Sequence, residues 1–126
     1  MWRASSSEAR SITGDIILSG EKLTINFLGF PVSKIRALTN DEILAAFIPE
    51  NGVDGGGNLY RVSISGARKL LHKNTLCGSD DVTWMATYVA GKTLELKFFS
   101  GQKPPVFTLE ALSGSSELCG TYIYSR

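Results

Sequence analysis

Histidine and cysteine are scarce in this chain: His72 is the one imidazole, and Cys77 and Cys119 are the two thiols. A structural zinc site takes about four such ligands, so no metal is expected. His72 also lacks a sequence-adjacent carboxylate to orient it as a base, and its neighbours Arg68, Lys69 and Lys73 disfavour an added charge. It reads as a surface loop residue. Long apolar runs are missing as well. None approaches the ~20 residues of a membrane-crossing helix, and no membrane span is expected. Nor does either sign of charge dominate: 13 Lys and Arg stand against 12 Asp and Glu, with the cations scattered rather than gathered into a stripe. Nucleic acid is therefore not an expected partner. Gly55-Gly56-Gly57 has neither the Gly-Lys-Ser/Thr of a P-loop nor the Gly-x-Gly-x-x-Gly of a dinucleotide loop, and no cofactor is expected.

What remains is a chain of 126 residues, 43% of them hydrophobic, enough for one domain with a substantial core. Its strongest signal is the alternation over 82–100. Val82, Trp84, Ala86 and Tyr88 share one face; Leu94, Leu96 and Phe98 share one, with Glu95 and Lys97 opposite. A period of two is that of a pleated strand, so the stretch predicts a β-hairpin turned at Ala90-Gly91-Lys92, wet on one side and buried on the other. Similar alternation predicts strands over 11–18 and 21–27, joined by a tight turn at Ser19-Gly20-Glu21. Pro31 cannot donate to a central ladder, so a turn or an edge-strand start is expected there, followed by a strand over 32–38.

Residues 43–48 are ambiguous. Thr39 and Glu42 fit a capping box, yet Pro49 stops the run early and Ile43, Phe47 and Ile48 suit a strand. The strand reading is preferred. The stretch 49–58 is the clearest loop; 59–64, 106–112 and 118–124 read as strands, and 65–74 as a basic, irregular segment with one helical turn. Sequential hairpins, about eight short strands in all, predict an all-β fold: an antiparallel up-and-down β-barrel of lipocalin-like architecture, with a β-sandwich as second choice. Residues 1–10, carrying Ala4-Ser5-Ser6-Ser7 and no apolar signal-peptide core, read as a flexible N-terminal tail left from an export region. The barrel is expected over 11–126.

Cys77 and Cys119 each sit in a Leu-Cys-Gly triplet. A disulfide between them is the preferred reading and implies an oxidising compartment; two buried free thiols are the alternative. Asn51, Asp54 and Asn58 offer oxygen ligands but lack the acid density of a calcium loop. Asp80 and Asp81 point to opposite faces of an extended chain and Glu110 lies on another strand, so no acid–base pair is expected, and no enzyme. The aromatics Trp84, Tyr88, Phe98, Tyr122 and Tyr124, with Phe107, fall on strand faces expected to be adjacent. An apolar body with a polar tip suits a ligand cavity or an interface, and the first five are the ligand-binding candidates. Filling of a small barrel's interior is the competing reading. Loops 49–58, 65–75 and 100–105 are the natural contact elements.

Leu76-Cys77-Gly78, Trp84, Phe99-Ser100-Gly101, Pro104-Pro105 and Leu118-Cys119-Gly120-Thr121-Tyr122 form a pattern, opened by Ala9-Arg10-Ser11-Ile12-Thr13-Gly14-Asp15-Ile16. It resembles small exported proteins of unassigned function from Gram-negative bacteria. The resemblance implies a periplasmic or secreted location and a Cys77–Cys119 disulfide, and it supplies no activity and no catalytic residue. The Gly-x-Trp of lipocalins is absent near the first strand, so that likeness is one of fold alone. The expectation is a non-enzymatic envelope protein that binds another macromolecule, as an inhibitor, immunity or accessory protein. The alternative is a barrel that holds a small apolar ligand.

Overall fold

Eight antiparallel strands form one sheet in a computed structural model covering all 126 residues, Met1–Arg126. They are β1 (Arg3–Ala4), β2 (Ile16–Leu18), β3 (Lys22–Ile25), β4 (Leu28–Ala37), β5 (Gly56–Ile64), β6 (Val82–Ala90), β7 (Thr93–Phe99) and β8 (Leu118–Ser125). From β2 to β8 each strand pairs with its sequence neighbour, and β1 pairs with β8. This is the up-and-down order, nearly closed into a barrel. Trp2 and Ile16 supply the last contact, exchanging N–H···O bonds of 2.8 and 2.9 Å.

The opening residues, expected as a tail, are instead pinned into the sheet. Arg3 lies opposite Ser125 and Ala4 opposite Tyr124, while the Trp2 ring is buried. Without them β2 and β8 would present unpaired edges. The serines that suggested a linker are used locally: Ser6 Oγ accepts the N–H groups of Ala9 (3.2 Å) and Ile123 (3.1 Å). Residues Ala9–Thr13, expected as the end of the tail and the start of the first strand, form one turn of π-helix, closed by the Gly14 N–H on the Ala9 carbonyl at 2.7 Å. Gly14 ends the turn at φ 64°, and any Cβ there would run into Leu71. The Leu71 methyl can move aside, but the positive φ strains any residue with a Cβ, which favours glycine.

Pro31 lies inside β4 rather than at a break. It pairs with Lys22 of β3, whereas the ladder bond is made one residue on, from the Val32 N–H to the Glu21 carbonyl at 2.9 Å. Pairing toward β5 starts only at Val32, so the missing N–H has no ladder partner to disappoint.

Two segments expected as strands are helices: α1 (Asn40–Phe47) and α2 (Leu109–Ser113). The strands from β3 to β8 each already have a neighbour on both sides, so 43–48 and 106–112 find no place between them. Local capping then decides. Thr39 Oγ1 accepts the Glu42 N–H at 3.2 Å and Glu42 Oε1 accepts the Thr39 N–H at 3.0 Å, a complete capping box. In α2, Thr108 Oγ1 accepts the Ala111 N–H at 3.1 Å.

The helix α1 lies on the outside of the barrel, and it changes the reading of the central hairpin. Alternation along β6 and β7 sorts side chains onto two faces, but both are buried. Met85, Leu94, Leu96 and Phe98 belong to the interior core with Leu23, Ile25, Val62, Tyr122 and Tyr124. Trp84, Ala86, Tyr88 and Phe99 belong to a second core outside the sheet, beneath Ile43, Ala46 and Phe47 of α1 and Phe107. The face of Glu95 and Lys97, expected to be wet, is the side on which α1 sits. Trp84, Ala86 and Tyr88, expected on the buried side with Leu94, Leu96 and Phe98, share it instead. Gly57 permits this approach: a Cβ there would stand 3.1 Å from Ile43 Cγ1 and 2.9 Å from the Thr87 carbonyl. Gly56 and Gly57 thus belong to β5 and its close packing rather than to a free loop.

Cys77 and Cys119 are joined in a disulfide with Cα atoms 4.9 Å apart. It ties the long β5–β6 connection to the start of β8.

Candidate functional site

The five candidate aromatics do not converge. Phe98, Tyr122 and Tyr124 are inside the barrel; Trp84 and Tyr88 are in the outer core. Inside, the Phe98 and Tyr122 rings meet edge to face at 5.6 Å, and Tyr124 Oη lies 2.7 Å from Thr13 Oγ1. Burial pushes the Tyr122 hydroxyl up to about 12 and raises that of Tyr124 further, so both stay neutral. Outside, the Trp84 Nε1–H donates to the Gly101 carbonyl at 3.2 Å and the Arg61 guanidinium stacks 4.8 Å from its ring. Tyr88 stacks on Phe47 at 5.5 Å and its hydroxyl accepts the Asp54 N–H at 3.0 Å. The polar tips of Tyr124, Trp84 and Tyr88 are turned to partners within the chain, and all five rings fill space.

Polar candidates are likewise scattered. His72 is exposed on the β5–β6 connection, and Glu110 is exposed in the first turn of α2. Asp81 Oδ1 accepts the Gly66 N–H at 2.8 Å, a loop-fixing bond. Asp54 is held against Tyr88, so loop 49–58 is docked rather than loose. No three His, Cys, Asp or Glu side chains gather closely enough to share a cation.

Beside α1 the sheet carries two half-buried charges. Lys97 Nζ donates to Thr121 Oγ1 and lies 5.9 Å from the Phe47 ring. Burial lowers the Lys97 pKa and raises that of Glu95, with their mutual attraction opposing each shift.

The feature that the sequence reading missed is a groove of about 610 Å³ between α1 and α2. Its apolar wall is Leu44, Ala45, Phe107 and Leu109, and Asp41 and Glu110 stand on its rim. Leu109 is 62% exposed and the neighbouring Val106 63%. Glu42, next to the rim, is engaged by Arg36 through bonds of 2.6 and 2.8 Å, which draw its carboxyl down to about 2. Asp41 and Glu110 have no such cation. The groove was invisible while both segments were read as strands; the Thr39–Glu42 capping box was the available signal. No protein-family model, curated protein or solved structure matches the chain.

Proposed function

We propose that this is a non-enzymatic protein of the cell envelope, periplasmic or secreted, that binds another protein as an inhibitor, immunity or accessory factor. The observation that carries the reading is the α1–α2 groove: exposed Leu44 and Leu109 on a barrel whose own interior is filled. Contiguous exposed apolar surface with a polar rim is the signature of a protein contact. The unpaired Asp41 and Glu110 select the occupant, a partner segment whose apolar side chains are flanked by Lys or Arg. The Cys77–Cys119 bridge supports an oxidising compartment.

The test is affinity capture from a native envelope extract with the wild-type chain, Leu44→Asp/Leu109→Asp and Asp41→Asn/Glu110→Gln. A partner lost by the first variant, and weakened and made less salt-sensitive by the second, is expected. A partner retained by both variants, or none at all, would sink the groove reading. A small apolar ligand is the weaker alternative, because Phe98, Tyr122 and Tyr124 fill the barrel. Saturable Trp fluorescence change on titration with fatty acids would favour it.

A further inference from the structure

Left-handed backbone is costly for residues with a Cβ, and such conformations gather where function requires them. The chain holds Asn26, Phe27, Ile48, His72 and Lys73 in this region. Four of the five occur in two loops at one end of the barrel. Asn26 and Phe27 form the two-residue turn between Ile25 and Leu28, with φ of 51° and 66°. Both positive φ values mark the type I′ hairpin turn, whose second residue is preferably glycine. Here it is phenylalanine, 99% exposed. Backbone strain and an unburied ring coincide at one residue, and the fold benefits from neither.

Phe27 does not stand alone. With Ile17, which is half-exposed, and Leu71 it borders an apolar hollow of about 330 Å³. The loop that delivers Leu71 also carries Arg68, Lys69, His72 and Lys73, all exposed. It is joined to the π-helical turn bearing Arg10 by the Asn74 Nδ2–H bond to the Ser11 carbonyl at 3.0 Å. One carboxylate lines the hollow, Asp15, whose Oδ1 accepts the Ala4 N–H at 2.8 Å. A protruding aromatic beside a cationic loop is the arrangement by which proteins rest on anionic bilayers: the ring enters the headgroup layer and the cations meet phosphates.

We propose that this end of the barrel, led by Phe27, is a peripheral attachment surface for an anionic lipid bilayer. It is separate from the α1–α2 groove and does not depend on it. The test is co-sedimentation of the oxidised chain with vesicles of phosphatidylcholine, with and without an equal part of phosphatidylglycerol. Wild type should bind the anionic vesicles, release with salt and leave pure phosphatidylcholine unbound. Phe27→Gly should bind about tenfold more weakly or worse, the loss expected for one buried aromatic. Its thermal midpoint should hold or rise, because glycine suits the turn, which separates lost binding from lost folding. Arg68→Ser/Lys69→Ser/Lys73→Ser should lose the salt-sensitive part, and Leu44→Asp/Leu109→Asp should bind as wild type. Absence of binding, equal binding to both vesicles, or undiminished binding by Phe27→Gly overturns the proposal. So does a lipid-free protein complex that Phe27→Gly abolishes, which would assign the patch to a protein.

Discussion

Thr13 shows how much one side chain can settle in this molecule. It is fully buried, and its hydroxyl lies 2.7 Å from Tyr124 Oη, 2.8 Å from the Gly14 carbonyl and 3.2 Å from the Ala9 carbonyl. A hydroxyl has one hydrogen, so Thr13 donates to one of these three groups, and either hydroxyl can be the donor between Thr13 and Tyr124. That bond links the π-helical turn to the last strand across the barrel. Replacing Thr13 with Val keeps the shape and strands the Tyr124 hydroxyl in an apolar core, at a cost of about 1–3 kcal/mol. Adding Tyr124→Phe removes the stranded group, so the double variant should recover part of the loss. Urea denaturation of the single and double variants reads this directly; equal midpoints would mean that the hydroxyl pair contributes nothing.

Among the elements, α1 is where sequence and structure part company, and its first turn is the place to test. The Arg36 guanidinium and the Thr39 N–H hold the Glu42 carboxyl near 2, below its ordinary 4.5. A depressed folded pKa means stability that is present above about 4.5 and lost as pH falls toward 2. Glu42→Gln should cost about 1 kcal/mol at neutral pH, discounted because Arg36 is largely exposed. It should also flatten the acid limb of the stability curve, as thermal melts at pH 7 and pH 3 would show. An unchanged acid limb would remove Glu42 from the account. The hairpins were legible because period-two patterning and turn residues agree locally, as they do over 82–100. The two helices were not, because Ile43, Phe47 and Phe107 are apolar enough for a strand. What disfavours the strand is that the inner strands of the nearly closed barrel already have both neighbours, a property that no local window contains. The same blindness hid the site. Alternation put Trp84 and Tyr88 on one face and Leu94, Leu96 and Phe98 on one, but those faces were expected to be adjacent. No local pattern showed that they lie on opposite sides of the sheet, or that α1 buries the outer one and leaves its own Leu44 beside Leu109.

At the scale of the whole molecule two devices hold the barrel, and they should fail differently. The disulfide spans 42 residues of sequence and constrains the unfolded chain, contributing roughly 4 kcal/mol on the chain-entropy model. Closure instead depends on Trp2, whose ring is buried in the interior core and whose backbone bridges to Ile16. Cys77→Ala/Cys119→Ala removes the constraint while every strand keeps its neighbours, so it should unfold at lower urea yet stay monomeric. Trp2→Ala costs about 3–5 kcal/mol of packing, as large aromatic truncations do. It also loosens the seam between β1 and β2, freeing strand edges that can pair with another chain. Static light scattering at concentrations where wild type is monomeric should therefore detect association of Trp2→Ala below its unfolding midpoint and none for the cysteine variant. Two variants that destabilise equally but both remain monomeric would show that the seam is not what protects the sheet, and that the remaining strands close upon themselves without it.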